Sequence, residues 1–152
     1  MNSLHEIEVV LIEDNPNDAE LTLRALRGTV ASERTVHVDD GVKALELFFG
    51  EAGLAERSLA RIPRMILLDL KLPKLDGLEV LRRIKSDERT RNYPVVVLTS
   101  SREERDIAES YRLGANSYLV KPVAFDEYLA TVAEACRYWV TLNQTPPARL
   151  TG

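Results

Sequence analysis

Five short apolar runs alternate with five longer segments of helical periodicity, and this alternation is the feature that most limits the possible folds. The apolar runs are residues 7–13, 34–39, 64–69, 94–100 and 116–120, and the helical segments are residues 17–27, 41–50, 77–87, 103–113 and 124–142. Strands that are each followed by a helix form βαβ units and a parallel sheet. The first, third and fourth runs are continuously apolar, which is typical of central strands buried on both faces. We therefore expect a three-layer α/β fold, with helices on both faces of a five-stranded sheet.

The chain is predicted to form one domain over residues 1–152, because its length fits one domain and no repeat or low-complexity linker divides it. The core is expected to span about residues 6–142. Residues 143–152 are expected to form a mobile tail, and residues 51–62 a longer connection with an extra helical turn.

Two local signals support the helix boundaries. Asn17 follows Pro16 and precedes Glu20 by three residues, so it is the predicted N-cap of the first helix. Gly114 directly follows the fourth helical segment, where glycine commonly ends a helix.

The charge and the cysteine content exclude several classes of function. A formal net charge of -4 argues against nucleic acid as the main partner, because phosphate binding needs a basic face. No apolar run approaches the length of about 20 residues that a membrane span needs. The single cysteine, Cys136, cannot form an intramolecular disulfide and is typical of a reducing cytoplasm. His5 and His37 are far apart in the sequence, so the sequence indicates neither a zinc site nor a thiol–histidine pair.

Polar residues follow the predicted strands at one edge of the sheet, where parallel α/β folds bind their ligands. Glu13 and Asp14 end the first strand, and Asp69 ends the third. Thr99 lies at the end of the fourth strand and Lys121 directly follows the fifth. The sequence therefore predicts that three carboxylates, a hydroxyl and an ammonium group meet at this edge.

This set of groups favours metal-dependent phosphoryl chemistry. Three crowded carboxylates suit a hard divalent cation such as Mg²⁺, with water completing its coordination. One carboxylate can then act as the nucleophile and form an aspartyl phosphate. The hydroxyl of Thr99 and the ammonium of Lys121 would bind the remaining phosphoryl oxygens, so catalysis would depend mainly on positioning and charge neutralisation.

The whole chain resembles the receiver domains of bacterial two-component response regulators. The stretches that carry this resemblance are VVLIEDNPND, ILLDLKLPKLDGLEVL, VVVLTSS and GANSYLVKPV. The resemblance implies the flavodoxin-like, doubly wound strand order 2-1-3-4-5. It also implies that a histidine kinase or a phosphotransfer protein donates the phosphoryl group.

The resemblance assigns roles to individual residues. Asp69 would be the phosphoacceptor. Asp14 and Asp69 would bind Mg²⁺ directly, Glu13 mainly through water, and Lys71 through its backbone carbonyl.

It also assigns the conformational switch. Thr99 would be the switch hydroxyl, and Tyr118 the aromatic residue that turns inward on activation. The Lys121–Pro122 peptide bond would be cis, which X–Pro bonds adopt at small cost.

The segment EDNPND and the long last helix, which ends in RYWVTLN, resemble the stand-alone receivers that serve bacterial and cyanobacterial phytochromes. The chain ends soon after this helix, so the output is expected to pass through protein contacts or onward phosphotransfer. Apolar residues recur at heptad-like spacing along the helix, and the first turns are expected to pack on the sheet. This stripe comprises Phe125, Leu129, Val132, Cys136 and Trp139.

The end of the last helix is expected to carry an interface. Tyr138, Trp139, Val140 and Leu142 lie beyond the predicted cover of the sheet, and so much exposed apolar surface is unusual for a monomer. A homodimer through the fifth strand and fifth helix is therefore predicted.

A further hypothesis concerns the lifetime of the phosphorylated state. Lys71 and Ser101 follow Asp69 and Thr99 by two residues, which in receivers are positions beside the path of the hydrolytic water. The Lys71 side chain would either shield the phosphoryl group or point into solvent.

Two other functions remain open at this point. The first is a phosphatase of the haloacid dehalogenase type, but such enzymes need an acid two residues after the nucleophile, where this chain has Lys71. The second is an adaptor with a receiver fold that works without phosphorylation, which the complete set of site residues disfavours. The expected protein is thus no enzyme beyond its own phosphorylation and autodephosphorylation.

Overall fold

The computed structural model describes residues 7–56 and 62–147, and within them the five predicted strands are all present. The strands are β1 (Val9–Ile12), β2 (Thr35–Val38), β3 (Met65–Leu68), β4 (Val95–Thr99) and β5 (Ser117–Val120). Every residue of β1, β3 and β4 is buried, as their continuous apolar sequences predict. The residues of β2 and β5 are only partly covered, since these strands form the two edges of the sheet.

The strand order is β2-β1-β3-β4-β5 and all four pairings are parallel, which confirms the predicted flavodoxin-like fold. Val9 to Ile12 pair residue by residue with Met65 to Leu68, so β1 and β3 end level with each other. The residues that follow these two strands therefore leave the sheet side by side.

Five helices alternate with the strands: α1 (Pro16–Leu26), α2 (Gly41–Phe49), α3 (Gly77–Ser86), α4 (Glu104–Arg112) and α5 (Phe125–Cys136). Helices α1 and α5 pack on one face of the sheet, and α2 and α3 pack on the other. Alternate strand residues pack on opposite faces of the sheet: Val10 and Ile12 belong to one core, whereas Val9 and Leu11 belong to the other. This period of two buries each central strand on both sides.

The N-cap of α1 is Asn15, so the prediction of Asn17 was wrong by two positions. The Asn15 side chain accepts hydrogen bonds from the backbone N–H groups of Asn17 (2.9 Å) and Asp18 (3.0 Å). Pro16 explains the shift, since proline fits the first helical position, where its missing N–H costs nothing.

The predicted end of the fourth helix is confirmed. Gly114 follows α4 with a φ of 107°, a left-handed conformation that only glycine adopts without strain. In the longer connection, residues 51–56 form turns, and residues 57–61 lie outside the described residues. Of the predicted tail, residues 143–147 have no regular secondary structure and residues 148–152 are likewise outside.

The buried stripe of α5 differs from the predicted one at its start. Tyr128, Val132 and Cys136 are buried, whereas Phe125 is half exposed. Phe125 is the first residue of the helix, and the sheet is covered only from the second turn onwards. A π-helical segment, Arg137–Leu142, continues α5.

Among the described helices, none combines the length and the apolarity that a membrane crossing requires.

Candidate functional site

The ends of β1 and β3 bring three carboxylates together. Carboxylate oxygens of Glu13, Asp14 and Asp69 all lie within 4.8 Å of one another. Glu13 and Asp69 are buried, whereas Asp14 is exposed. These oxygen donors fit Mg²⁺, and the open side at Asp14 leaves room for water ligands. The predicted acidic metal-binding cluster is therefore confirmed.

This arrangement disfavours the ionised form of the Glu13 carboxyl. Its side chain is 1% exposed. Burial, followed by the neighbouring Asp69 carboxylate, raises the pKa of Glu13 to about 7, although hydrogen bonds from Lys121 and from the backbone N–H of Asn15 oppose the shift. A divalent cation at this position would supply the positive charge that favours the ionised form.

Asp69 is held in place by the backbone around it. Its Oδ1 accepts a hydrogen bond from the backbone N–H of Lys71 at 3.2 Å. The first turn of α3 lies against the same segment, and a Cβ added at Gly77 would lie 2.3 Å from the Asp69 carbonyl oxygen. The glycine thus permits the close approach that fixes the chain directly after Asp69.

Lys121 reaches into the acidic cluster from the end of β5. Its Nζ lies 2.7 Å from Glu13 Oε1, 2.8 Å from Asp18 Oδ2 and 2.9 Å from Asp69 Oδ2. Burial disfavours the charged ammonium group, but the hydrogen bonds to Asp18, Glu13 and Asp69 outweigh it and raise the pKa of Lys121. The lysine is therefore a permanent positive charge beside Asp69.

The prediction of a cis bond between Lys121 and Pro122 was wrong. No peptide bond within residues 7–56 and 62–147 is cis, so this one is trans. The trans isomer is the intrinsically favoured one, and with it Lys121 already contacts Glu13, Asp18 and Asp69.

Thr99 is fully buried at the end of β4, and the loop after it is connected to two further elements. The backbone N–H of Ser101 lies 3.5 Å from Thr99 Oγ1, and Ser101 Oγ donates to Asp106 Oδ2 of α4 at 2.6 Å. The hydroxyl of Tyr118 donates to the Ser101 carbonyl oxygen at 3.0 Å. The loop thus connects the buried hydroxyl to α4 and to the edge strand β5.

The Lys71 side chain is exposed, so the structure places it at the surface beside Asp69. Of the two alternatives for this lysine, an outward-pointing side chain agrees with the observed exposure. Its backbone is close to the carboxylate, as the hydrogen bond to Asp69 shows.

Asp18 and His37 belong to the site but were not predicted. Asp18 occupies the third position of α1 and pairs with Lys121, which a correct assignment of the Asn15 cap could have indicated. His37 lies on β2 and its Nε2 donates a hydrogen bond to the Glu13 carbonyl oxygen at 2.8 Å. Only the pairing of β1 with β2 brings this histidine to the site.

The family model of the response regulator receiver domain matches residues 9–133. The probable methanogenesis regulatory protein FilR2 of Methanothrix harundinacea is 42% identical over 138 residues, which are 91% of this chain and 86% of FilR2. Response regulator Rcp1 of Synechocystis sp. is 35% identical over 140 residues, which are 92% of this chain and 93% of Rcp1.

Solved structures agree with this result. The phosphorylated cyanobacterial phytochrome response regulator RcpA has a TM-score of 0.82 and 38% identity, over 91% of this chain and 96% of RcpA. The Mn²⁺-bound form of Rcp1 has a TM-score of 0.80 and 32% identity, over 91% of this chain and 99% of that structure. The predicted resemblance to phytochrome-associated receivers is therefore confirmed.

Proposed function

The chain belongs to the response regulator receiver family, and we propose that it is a single-domain response regulator that accepts a phosphoryl group on Asp69. The observation that carries this proposal is the position of Asp69 between an acidic metal-binding cluster and the ammonium group of Lys121. Matched relatives of similar length, among them Rcp1 and RcpA, support the proposal of a single-domain response regulator.

The reaction transfers a phosphoryl group from a histidine to Asp69. An Asp69 carboxylate oxygen attacks phosphorus, the P–N bond to the donor imidazole breaks, and the imidazole nitrogen keeps the electron pair. When bound at the carboxylates, Mg²⁺ would neutralise charge on them and on the transferred group. Asp14 and Asp69 would bind it directly, Glu13 mainly through water, and Lys71 through its backbone carbonyl.

Lys121 and Thr99 bind the phosphoryl oxygens in this proposal. Lys121 already donates to Asp69 and has a permanent positive charge, so it needs only a small movement to reach the new group. Thr99 is buried at the adjacent strand end and would move toward the phosphoryl group. Because the following loop is hydrogen-bonded to Tyr118 and to α4, this movement would reposition Tyr118 and carry the signal to the β5 edge.

A sensor histidine kinase is the proposed donor, and a bacterial phytochrome is the proposed kinase type. The similarity to RcpA, a cyanobacterial phytochrome response regulator, supports this choice. A groove beside Lys121 is lined by Leu21 of α1 together with Val123 and Phe125 of the loop and first turn after β5. Val123 is fully exposed and Phe125 half exposed, so this partly apolar groove beside Lys121 is the proposed docking site of the donor.

The output surface proposed here is a homodimer interface on β5 and α5. Tyr138 and Leu142 are about half exposed, and a groove beside them is lined by Leu119, Ala135 and Trp139. Trp139 and Val140 are partly covered by the core, so the interface would be smaller than the sequence predicted. The proposed site of action is the cytoplasm, and neither nucleic acid nor a membrane is a proposed partner.

The test is a mass measurement on the intact chain after incubation with acetyl phosphate. The expected result is a gain of one phosphoryl group that requires Mg²⁺ and is lost in Asp69→Asn. Asp87→Asn is a matched control, because Asp87 is an aspartate on the surface that pairs only with Arg89 in the described structure. Turnover of an external phosphate ester would favour the phosphatase alternative, and no gain at all would favour the adaptor.

A further inference from the structure

We propose that Asp18 is a positioning residue for Lys121, which keeps the lysine in place when a cation and a phosphoryl group occupy Glu13 and Asp69. This inference rests on the proposed function and deepens it. Its basis is that Lys121 has three carboxylate partners, of which only Asp18 lies outside the acidic metal-binding cluster.

The contacts of Lys121 use all of its hydrogen-bond donors. An ammonium group has three N–H donors, and Glu13, Asp18 and Asp69 each accept one at 2.7 to 2.9 Å. The lysine side chain is only 6% exposed, so water cannot readily replace a lost partner. Such a buried ammonium group needs at least one counter-ion at every stage of the reaction.

A cation in the cluster changes these contacts. It would share oxygens of Glu13 and Asp69 with Lys121, and two positive groups on the same carboxylates repel each other. Lys121 would then move away from the cation, toward the phosphoryl group and toward Asp18. Asp18 is thus the one contact of the three that cation binding does not weaken.

Asp18 is fixed well enough to serve as this anchor. Its backbone N–H is capped by Asn15 Oδ1 at 3.0 Å, so it lies in the rigid first turn of α1. Its carbonyl oxygen lies 3.4 Å from the Tyr128 hydroxyl, which shares a 2.9 Å hydrogen bond with Thr22 Oγ1. These two contacts fix the Asp18 backbone, from which the carboxylate reaches Lys121 Nζ at 2.8 Å.

The test compares four proteins: the parent, Asp18→Asn, Lys121→Met and the double variant. In the parent background Asp18→Asn is expected to slow phosphorylation by acetyl phosphate about tenfold at saturating Mg²⁺, since a charge-assisted hydrogen bond is lost. In the Lys121→Met background the same change is expected to have no effect, because the residue acts through the lysine.

The Mg²⁺ dissociation constant, measured by titration calorimetry, gives a second readout that needs no phosphorylation. Asp18→Asn is expected to weaken Mg²⁺ binding in the parent, because the cation would then compete with the buried lysine for both of its remaining carboxylate partners. It is expected to change Mg²⁺ binding much less in Lys121→Met. Glu20→Gln is the matched control for charge alone, because Glu20 lies on the same helix and, among residues 7–56 and 62–147, pairs only with Arg24.

Folding is expected to tolerate the change, since Asn keeps the size of the side chain and Asn15 supplies the helix cap. Asp18→Ser is a second neutral variant and should slow phosphorylation as much as Asp18→Asn does. Asp18→Glu should keep most of the parental phosphorylation rate. The inference is overturned if Asp18→Asn matches the parent, or if it has the same effect with and without Lys121. Failure of the parent to gain a phosphoryl group would instead overturn the proposed function.

Discussion

Glu13 should make the stability of the metal-free chain depend on pH. Burial and then Asp69 raise its pKa to about 7 from an ordinary value of 4.5. A carboxyl whose pKa is raised by folding binds its proton more tightly in the folded state, so its stabilising contribution is full below about 4.5 and is lost as the pH rises through about 7. The rise in the pKa of Glu13 from 4.5 to about 7 corresponds to about 3 kcal/mol of unfolding free energy, because one pKa unit is worth about 1.4 kcal/mol.

The assay is urea unfolding in EDTA at about pH 5 and about pH 8, with the free energy of unfolding extrapolated to water. The parent should lose up to about 3 kcal/mol between these pH values, and Glu13→Gln should lose much less because its amide does not titrate. Glu20→Gln should behave as the parent, because the Glu20 side chain is exposed and pairs with Arg24.

Millimolar Mg²⁺ should remove most of the parental loss, since the cation binds the ionised carboxylates of the folded state. The stabilisation by Mg²⁺ should accordingly be larger at about pH 8 than at about pH 5. The reasoning is refuted if Glu13→Gln and the parent lose the same free energy of unfolding over this range.

Three further predictions concern the site, the interface and the fold. Because the Lys71 side chain is exposed, Lys71→Asn should lose the aspartyl phosphate at the parental first-order rate, and a faster loss in the variant would show that this lysine shields the phosphoryl group. Light scattering at micromolar concentration should give the mass of a dimer that Tyr138→Ser weakens, and a monomer with and without phosphorylation would contradict the interface. Gly77→Ala should lower the free energy of unfolding by about 1–3 kcal/mol, because the new methyl group meets backbone. Gly28→Ala, where the nearest atom is 3.9 Å away, should cost much less, and equal losses would argue against the close contact.

The strands could be predicted because local apolar patterns determine them, and their order could be predicted because the chain resembles receiver domains. The apolar runs of β1, β3 and β4 are buried on both faces, and the resemblance to receivers supplied the order. The strand ends then placed Glu13, Asp14 and Asp69 together, since β1 and β3 are in level register.

The errors arose where an adjacent residue or a tertiary contact decides between similar local signals. Asn15 and Asn17 are both acceptable caps, and the fit of Pro16 to the first helical position selects the earlier one. Phe125 fits the apolar stripe of α5 by spacing, but it lies at the helix start, where the sheet gives no cover. Asp18 could not be assigned to the site until the start of α1 was known, because its contact with Lys121 joins residues 103 positions apart.

Locating the phosphorylated residue is the most direct test of the central claim that Asp69 is the phosphoacceptor. The chain is phosphorylated with acetyl phosphate and Mg²⁺ and reduced with borohydride, which converts an aspartyl phosphate into homoserine, and peptide mass spectrometry then locates the converted residue. Conversion of Asp69 alone is the predicted result, with none when Mg²⁺ is omitted. Conversion at another aspartate, or phosphorylation that leaves Asp69 unmodified, would contradict the assignment of this site.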